Sequence, residues 1–398
     1  MRKLSAHYIF TGTGVVLNKG IIIVNEEGIV TKIIDTKGQF EEQSGVEFYS
    51  GAIVPGFVNA HCHLELSHLH SIFPEKTGLP GFLKNVVANR NHEEPIVLEA
   101  ARKADFELWH NGIVAVGDIS NTASTFALKS KSKIKYHTFI EVLGFSPLRA
   151  QRAFEWAEIC LAEARSLGIP ASIVPHAPYS ISKELFALVS KSAEDNHSIL
   201  SIHSQECSAE DDLYQTGDGE LARHLTENLS MDISFFEPTG KNALESVIDW
   251  LPEQNKLLLV HNVCTVQKDI DLLRLVRDMG KTWFVLCPNS NLYIDKQLPD
   301  IALFSKNGLK ICLGTDSLSS NWKLSILEEM KTIHRFFPEI HFGEMVTWAT
   351  LNGAEALEMD SWAGSIEVGK KPGLNLITGL DLNSLQLLPQ SKVKRLIN

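Results

Sequence analysis

Residues 54–70 read VPGFVNAHCHLELSHLH and hold two His-x-His pairs, His61 with His63 and His68 with His70. Side chains alternate along a strand, so residues two apart at a strand end point to one face. Two imidazoles on one face can share a cation at about 2.1 Å each. His61 and His63 close an apolar, strand-like run and fit that geometry. His68 and His70 follow where no strand orients them, and they read as surface or loop-packing histidines.

Further metal-type side chains end other apolar runs: His176 after SIVP, His203 in ILSIH, His261 in KLLLVH and Asp316 in LKICLGTD. A lone strand-end histidine is ordinarily a hydrogen-bonded structural residue. Five strand ends of this kind, converging on one opening, point to a metal centre. His61, His63, His203 and Asp316 supply three imidazoles and one carboxylate, a set suited to one divalent ion per chain. Zinc fits these donors first, and iron or manganese is also accommodated. Such an ion lowers the pKa of a water towards neutrality. Other zinc signatures are missing: there is no H-E-x-x-H, and His63-Leu64-Glu65 is not followed by P-C-x-x-C.

The elements that must carry these residues can be read from apolar periodicity. AIVPGFVNAH, GIVAVGD, IKYHTFIE, ASIVPH, ILSIH, KLLLVH, TWFVLCP and LKICLGTD are eight buried-strand candidates. Between them lie helix-like stretches such as IVLEAARKADFELWHNG and QRAFEWAEICLAEARSLG, with apolar spacing near 3.6 and a Gly close to the end. That alternation predicts an α/β fold, a (β/α)8 TIM-like barrel over 55–360, whose reactive groups gather at the C-terminal ends of the strands. Residues 1–54 and 361–398 are short-stranded and Gly-rich. They are expected to form the two parts of a small β-sandwich domain, and GIIIVNEEGIVTKII carries a hairpin signal.

Bulk properties narrow the function. With 37 basic and 48 acidic residues the 398-residue chain carries −11, which argues against nucleic acid or an anionic membrane as partner. No apolar run approaches a membrane span and no h-region follows Arg2 and Lys3. The six cysteines form no C-x-x-C and read as reduced, mostly buried thiols, so a cytoplasmic location is expected.

PGFVNAHCHLE, PHAPYS, SIHSQE, VHNV, CPNSNLY and LGTDSLSSN together resemble the amidohydrolase superfamily, and within it the cytosine/guanine deaminase and chlorohydrolase branch. The match runs in order over nearly the whole chain. The resemblance implies that His61, His63 and His203 ligate the metal and that Asp316 binds or adjoins it and takes the proton of its water. It implies that Glu206 protonates a ring nitrogen and then shuttles a proton to the leaving amine, and that His261 polarises the centre under attack. His176 and Tyr179 would contact a small-molecule substrate, and the resemblance admits a homodimer. Binuclear members usually carry a carboxylated lysine at the end of strand four. His176 stands there instead, so one metal is expected. The closing motif has Asn375 where Asp is usual.

AHCHLELS and GLPGFLKNVVANR also resemble a bacterial group that deaminates 6-aminodeoxyfutalosine in an alternative menaquinone pathway. That substrate bears a benzoate, for which Arg149 or Arg152, after strand three, offers a bidentate partner. Both also read as ordinary helix-start surface arginines. Glu65 is assigned to substrate hydroxyls or ring nitrogens, or to orienting His63. Ser290, Asn291 and Ser319 to Asn321 are expected in the wall around the metal. Two alternatives stay open: hydrolysis of a cyclic amide, imine or C–halogen bond, and a non-catalytic assembly protein of the same fold.

Overall fold

The computed structural model describes residues 1–39 and 44–398. The N-terminal segment supplies β1 (Arg2–Phe10), β2 (Val16–Asn18), β3 (Ile21–Val24), β4 (Val30–Ile34) and β5 (Val46–Pro55). Eight strands follow: β6 (Phe57–Cys62), β7 (Ile113–Ser120), β8 (Lys135–Val142), β9 (Ala171–Pro175), β10 (Leu200–Ser204), β11 (Leu257–His261), β12 (Thr282–Leu286) and β13 (Lys310–Leu313). The chain ends in β14 (Leu374–Thr378) and β15 (Lys392–Ile397).

β6 to β9 and β10 to β13 form two four-stranded parallel sheets, and every run predicted as a barrel strand contributes one of these strands. The sheets meet at two seams. At one, His203 N donates to His176 O at 2.9 Å. At the other, Thr315 N and Asp316 N donate to His61 O at 3.0 and 3.1 Å, and Cys62 bridges Asp316 in parallel fashion. Both seams are therefore made by residues of the imidazole cluster or their immediate neighbours, and they join the two sheets there.

The apolar runs are buried because helices cover them. Helix Glu94–His110 buries Ala101, Ala104 and Leu108, and helix Ala150–Ser166 buries Phe154, Ala157, Cys160, Leu161 and Ala164. These spacings of three and four place one apolar stripe against the strands. Among the described residues no helix is long and apolar enough to cross a membrane. All six cysteines are free; five are buried and Cys264 is half-buried.

Both chain ends enter one seven-stranded sheet in the order β15-β14-β5-β1-β3-β4, with β2 paired to β1. β1 and β5 pair in parallel and the other pairs are antiparallel, including the β3–β4 hairpin. The run read as one strand, AIVPGFVNAH, is divided at Gly56 between β5 and β6. A Cβ at Gly56 would lie 2.4 Å from Val114 Cγ1 and 2.6 Å from Pro372 O, so only glycine lets the two layers approach there.

Candidate active site

Every member of the predicted metal set arrives from a strand end. His61 lies in β6, His63 follows it, His203 lies in β10 and Asp316 stands three residues beyond β13. All four are buried, between 0% and 8% exposed. His61 Nε2 and His63 Nε2 are 3.1 Å apart, and Asp316 Oδ1 lies 3.6 and 3.3 Å from them. The His203 ring stands 4.9 Å from that of His61 and 5.4 Å from that of His63. His203 Nδ1 donates to His176 O at 2.8 Å, which leaves the Nε2 lone pair free. Ser290 Oγ and Ser320 Oγ both donate to Asp316 Oδ2 at 2.6 Å, so Oδ1 alone faces the imidazoles.

This donor set fits a divalent cation. Ring nitrogens converge on one carboxylate oxygen inside a buried pocket, and hydrogen bonds fix the far atoms of His203 and Asp316 as outer partners of metal ligands do. Burial lowers His63, His203 and His261, His203 to about 3, which keeps the imidazoles neutral as ligation requires. Burial opposes the charge on Asp316, but His61, His63 and His261 outweigh it and hold the carboxyl well below the usual range.

The backbone turns sharply at this rim. Gln205, His261, Asn262 and Asp316 take left-handed φ of 50°, 77°, 56° and 55°. Such conformations cost on the order of 1–3 kcal/mol each and persist where surroundings over-determine them. Here they turn the chain out of the barrel while hydrogen bonds hold the side chains at its mouth.

Glu206 follows one of these turns. Its Oε1 lies 3.6 Å from His261 Nε2. Burial first, then the charges of Asp316 and Glu210, push its carboxyl well above the ordinary range, which favours its protonated form. Asn291 Nδ2 donates to His261 Nδ1 at 3.0 Å, which places the imidazole proton on Nε2. Glu206, His261, His63, His203 and Asp316 form the polar end of a cavity of about 110 Å³. Leu79, Phe82, Leu83 and Val86 from helix Gly78–Asn89 form its apolar wall with Leu143. That helix is the GLPGFLKNVVAN stretch singled out in the sequence.

The predicted substrate contacts divide. His176 and Tyr179 line the cavity, and His176 Nδ1 lies 2.7 Å from Ser180 Oγ. Ser319 does not line it; its hydroxyl lies 2.6 Å from that of Ser317, which does. Glu65 faces a neighbouring pocket of about 310 Å³ that shares Leu66 and Arg90 with the cavity. Its oxygens accept from Asn121 N at 3.2 Å and Thr122 Oγ1 at 3.3 Å, and burial, moderated by Arg90, raises it to about 7. Arg149 and Arg152 are not brought to the cavity. Helix Ala150–Ser166 turns its apolar stripe inward and leaves both arginines on the exposed outer side. His68 packs locally, its ring nitrogens 3.0 Å from Glu65 O and 3.2 Å from Arg90 O, and His70 is exposed.

Three cavity or support residues escaped the sequence reading. Arg90, just past helix Gly78–Asn89, lines the cavity and donates to Asn121 Oδ1 at 2.9 Å. Glu141 lines it from the end of β8. Asp118 on β7 accepts from Leu64 N at 2.7 Å, next to His63, and forms a fully buried 2.5 Å ion pair with Lys129. Glu141 and Asp118 are strand-end carboxylates, so the rule that found Asp316 also reaches them.

The amidohydrolase family model matches residues 52–396. An adenosine deaminase of Helicobacter pylori is 28% identical over 369 residues, covering 91% of this chain and 86% of that protein. An aminodeoxyfutalosine deaminase of Deinococcus radiodurans is 27% identical over 365 residues, covering 88% and 84%. The crystal structure of Helicobacter pylori aminofutalosine deaminase in complex with methylthio-coformycin shares the fold, with a TM-score of 0.82 at 23% identity and all of both chains covered.

Proposed function

The chain belongs to the amidohydrolase family, and on that premise we propose that it is an aminohydrolase of purine nucleosides. It replaces the exocyclic amino group by oxygen and releases ammonia. The observation that carries this reading is Glu206, a buried carboxyl raised well above its ordinary range beside His261, at the edge of the buried His61, His63 and Asp316 group that His203 adjoins. The deaminase relatives support it over 88% and more of the chain, and they favour 6-aminodeoxyfutalosine as the substrate, within menaquinone biosynthesis.

His61, His63, His203 and Asp316 would hold one divalent ion, zinc by donor type, and when bound it supplies a water acidified towards neutrality. Asp316 Oδ1 is free to accept a proton from the attacking water while the two serines hold Oδ2. His261 Nε2–H donates to oxygen at the carbon under attack, with Asn291 fixing the tautomer. Glu206 gives its proton to the neighbouring ring nitrogen, takes one from the new hydroxyl and delivers it to the departing amine. Transfer from Asp316 then restores Glu206, so the two protons of water end on ammonia and on the enzyme. The apolar wall of helix Gly78–Asn89 excludes bulk water from the exchange. Arg90, at the edge shared with the second pocket, is the cation placed to meet a distal substrate carboxylate, the role first given to Arg149 or Arg152.

The test is ammonia release by the purified protein, with metal content quantified, from 6-aminodeoxyfutalosine, S-adenosylhomocysteine, methylthioadenosine, adenosine, guanine and cytosine. Strong turnover of an adenine nucleoside, lost by a factor of about 10²–10⁴ in Glu206→Gln with metal retained, is expected. No ammonia from any of them with one metal per chain overturns the reading.

A further inference from the structure

Among the described residues a far larger cavity, about 1040 Å³, opens at the other end of the barrel. It is lined where strands begin: Val114 on β7, Lys135 on β8, Ala171 on β9 and Ile199 before β10. Lys135 opens β8 and Glu141, near its end, lines the catalytic cavity, so the two cavities stand roughly 20 Å apart at 3.3 Å per residue.

The lining is cationic in a chain of net charge −11. Lys133, Lys135, Arg165 and Lys371 face it, and among the described residues none of them is paired with a carboxylate, while Lys133 Nζ lies 5.4 Å from the centre of the Trp109 ring. Arg165 donates only to Asn196 Oδ1, at 3.0 Å. Of the acids, Glu358 lines the rim but lies 3.4 Å from Lys256 Nζ. Among the described residues it is the one acidic side chain in the lining, against four basic ones. Trp109, Met359 and Trp362 give an apolar wall.

One imidazole on the wall also offers a ring nitrogen to a ligand. His137 is 8% exposed and lines the cavity. Its Nε2 lies 3.0 Å from Ser172 Oγ, whereas its Nδ1 has no hydrogen-bond partner among the described residues.

We propose that this cavity is a second binding site, for an organic anion with an apolar body. The carboxylate or phosphate sits among Lys133, Lys135, Arg165 and Lys371, the body lies against Trp109, Met359 and Trp362, and His137 bonds a polar atom on it. The site is independent of the metal-cluster chemistry.

Calorimetric titration of the intact protein tests it. 1-Naphthyl phosphate and 2-naphthoate distinguish a phosphate from a carboxylate ligand, and inorganic phosphate reports a bare anion. At least one naphthyl anion is expected to bind at one site. Lys133→Glu with Lys135→Glu weakens that binding at least about tenfold, and Glu206→Gln leaves it unchanged. Both lysines are exposed, so the charge-reversed protein keeps its melting temperature; a Lys133→Gln, Lys135→Gln pair gives a smaller loss in the same direction. The proposal is overturned if neither naphthyl anion binds at millimolar concentration. Binding that survives charge reversal, binding lost in Glu206→Gln, or equal affinity for inorganic phosphate overturns it as well.

Discussion

Arg90→Met removes a charge and keeps an apolar stem of similar length. The guanidinium is 32% exposed, donates to Asn121 Oδ1 at 2.9 Å and lies 3.6 Å from Glu65 Oε1. A charge-assisted hydrogen bond contributes about 1.5–3 kcal/mol, and partial exposure places this one near the lower end. About 1.4 kcal/mol is a factor of ten, so kcat/KM for 6-aminodeoxyfutalosine should fall about tenfold. A carboxylate remote from the reacting carbon binds ground and transition states alike, so the loss should lie in KM. Methylthioadenosine, which has no carboxylate, should change by less than about twofold. Steady-state ammonia release on both substrates measures the split, with Arg149→Met as an unaffected control. Equal losses on the two substrates would show that Arg90 only props Asn121 and Glu141, and the specificity argument would fail.

Ser290→Ala or Ser320→Ala each removes a 2.6 Å bond to Asp316 Oδ2 and should weaken metal retention about tenfold or more, read by competition with a chelator. Unaltered retention would show that the carboxylate needs no outer support. Lys129→Met strands Asp118 in a fully buried site and should cost about 3–5 kcal/mol, measured as a shift in urea midpoint. Burial already raises Asp118 despite Lys129, and its loss raises the carboxyl further. A raised carboxyl penalises the fold above its unfolded pKa, so the deficit should shrink as pH falls towards that range. His137 is lowered by burial to about 4 from 6.5, so the unfolded chain binds more protons between those values. Stability therefore falls as pH drops through this window, by up to about 3 kcal/mol from this group, and His137→Gln should lose correspondingly less. Parallel curves for the two proteins would place the acid sensitivity elsewhere.

The barrel strands were legible because each is a short apolar run, and the clustering of His61, His63, His203 and Asp316 because they end those runs in side chains that an apolar strand has no packing reason to hold. The single strand read across AIVPGFVNAH became two because a strand's apolarity does not reveal which of two sheets it serves; only the close approach of Val114 and Pro372 at Gly56 does. Arg149 and Arg152 were misplaced because sequence gives the loop but not its direction of exit. The packing of helix Ala150–Ser166 turns them outward. Arg90 was hidden by ordinariness: it is a basic residue at a helix C-terminus, a position that the helix dipole alone favours.

Asp316 lies about 250 positions after His63, and at roughly 5–20 residues per second synthesis takes on the order of 13–50 seconds to cross that gap. During that interval the nascent chain displays the His61–His63 pair without His203 for much of the time and without the carboxylate throughout. A bare imidazole pair favours whichever divalent ion stands highest in the affinity series, copper before zinc. Selection of a working ion would therefore belong to the finished barrel, whose seams bring the proposed donors to one mouth. Metal choice would then be a late checkpoint on completed folding rather than an early nucleus for it.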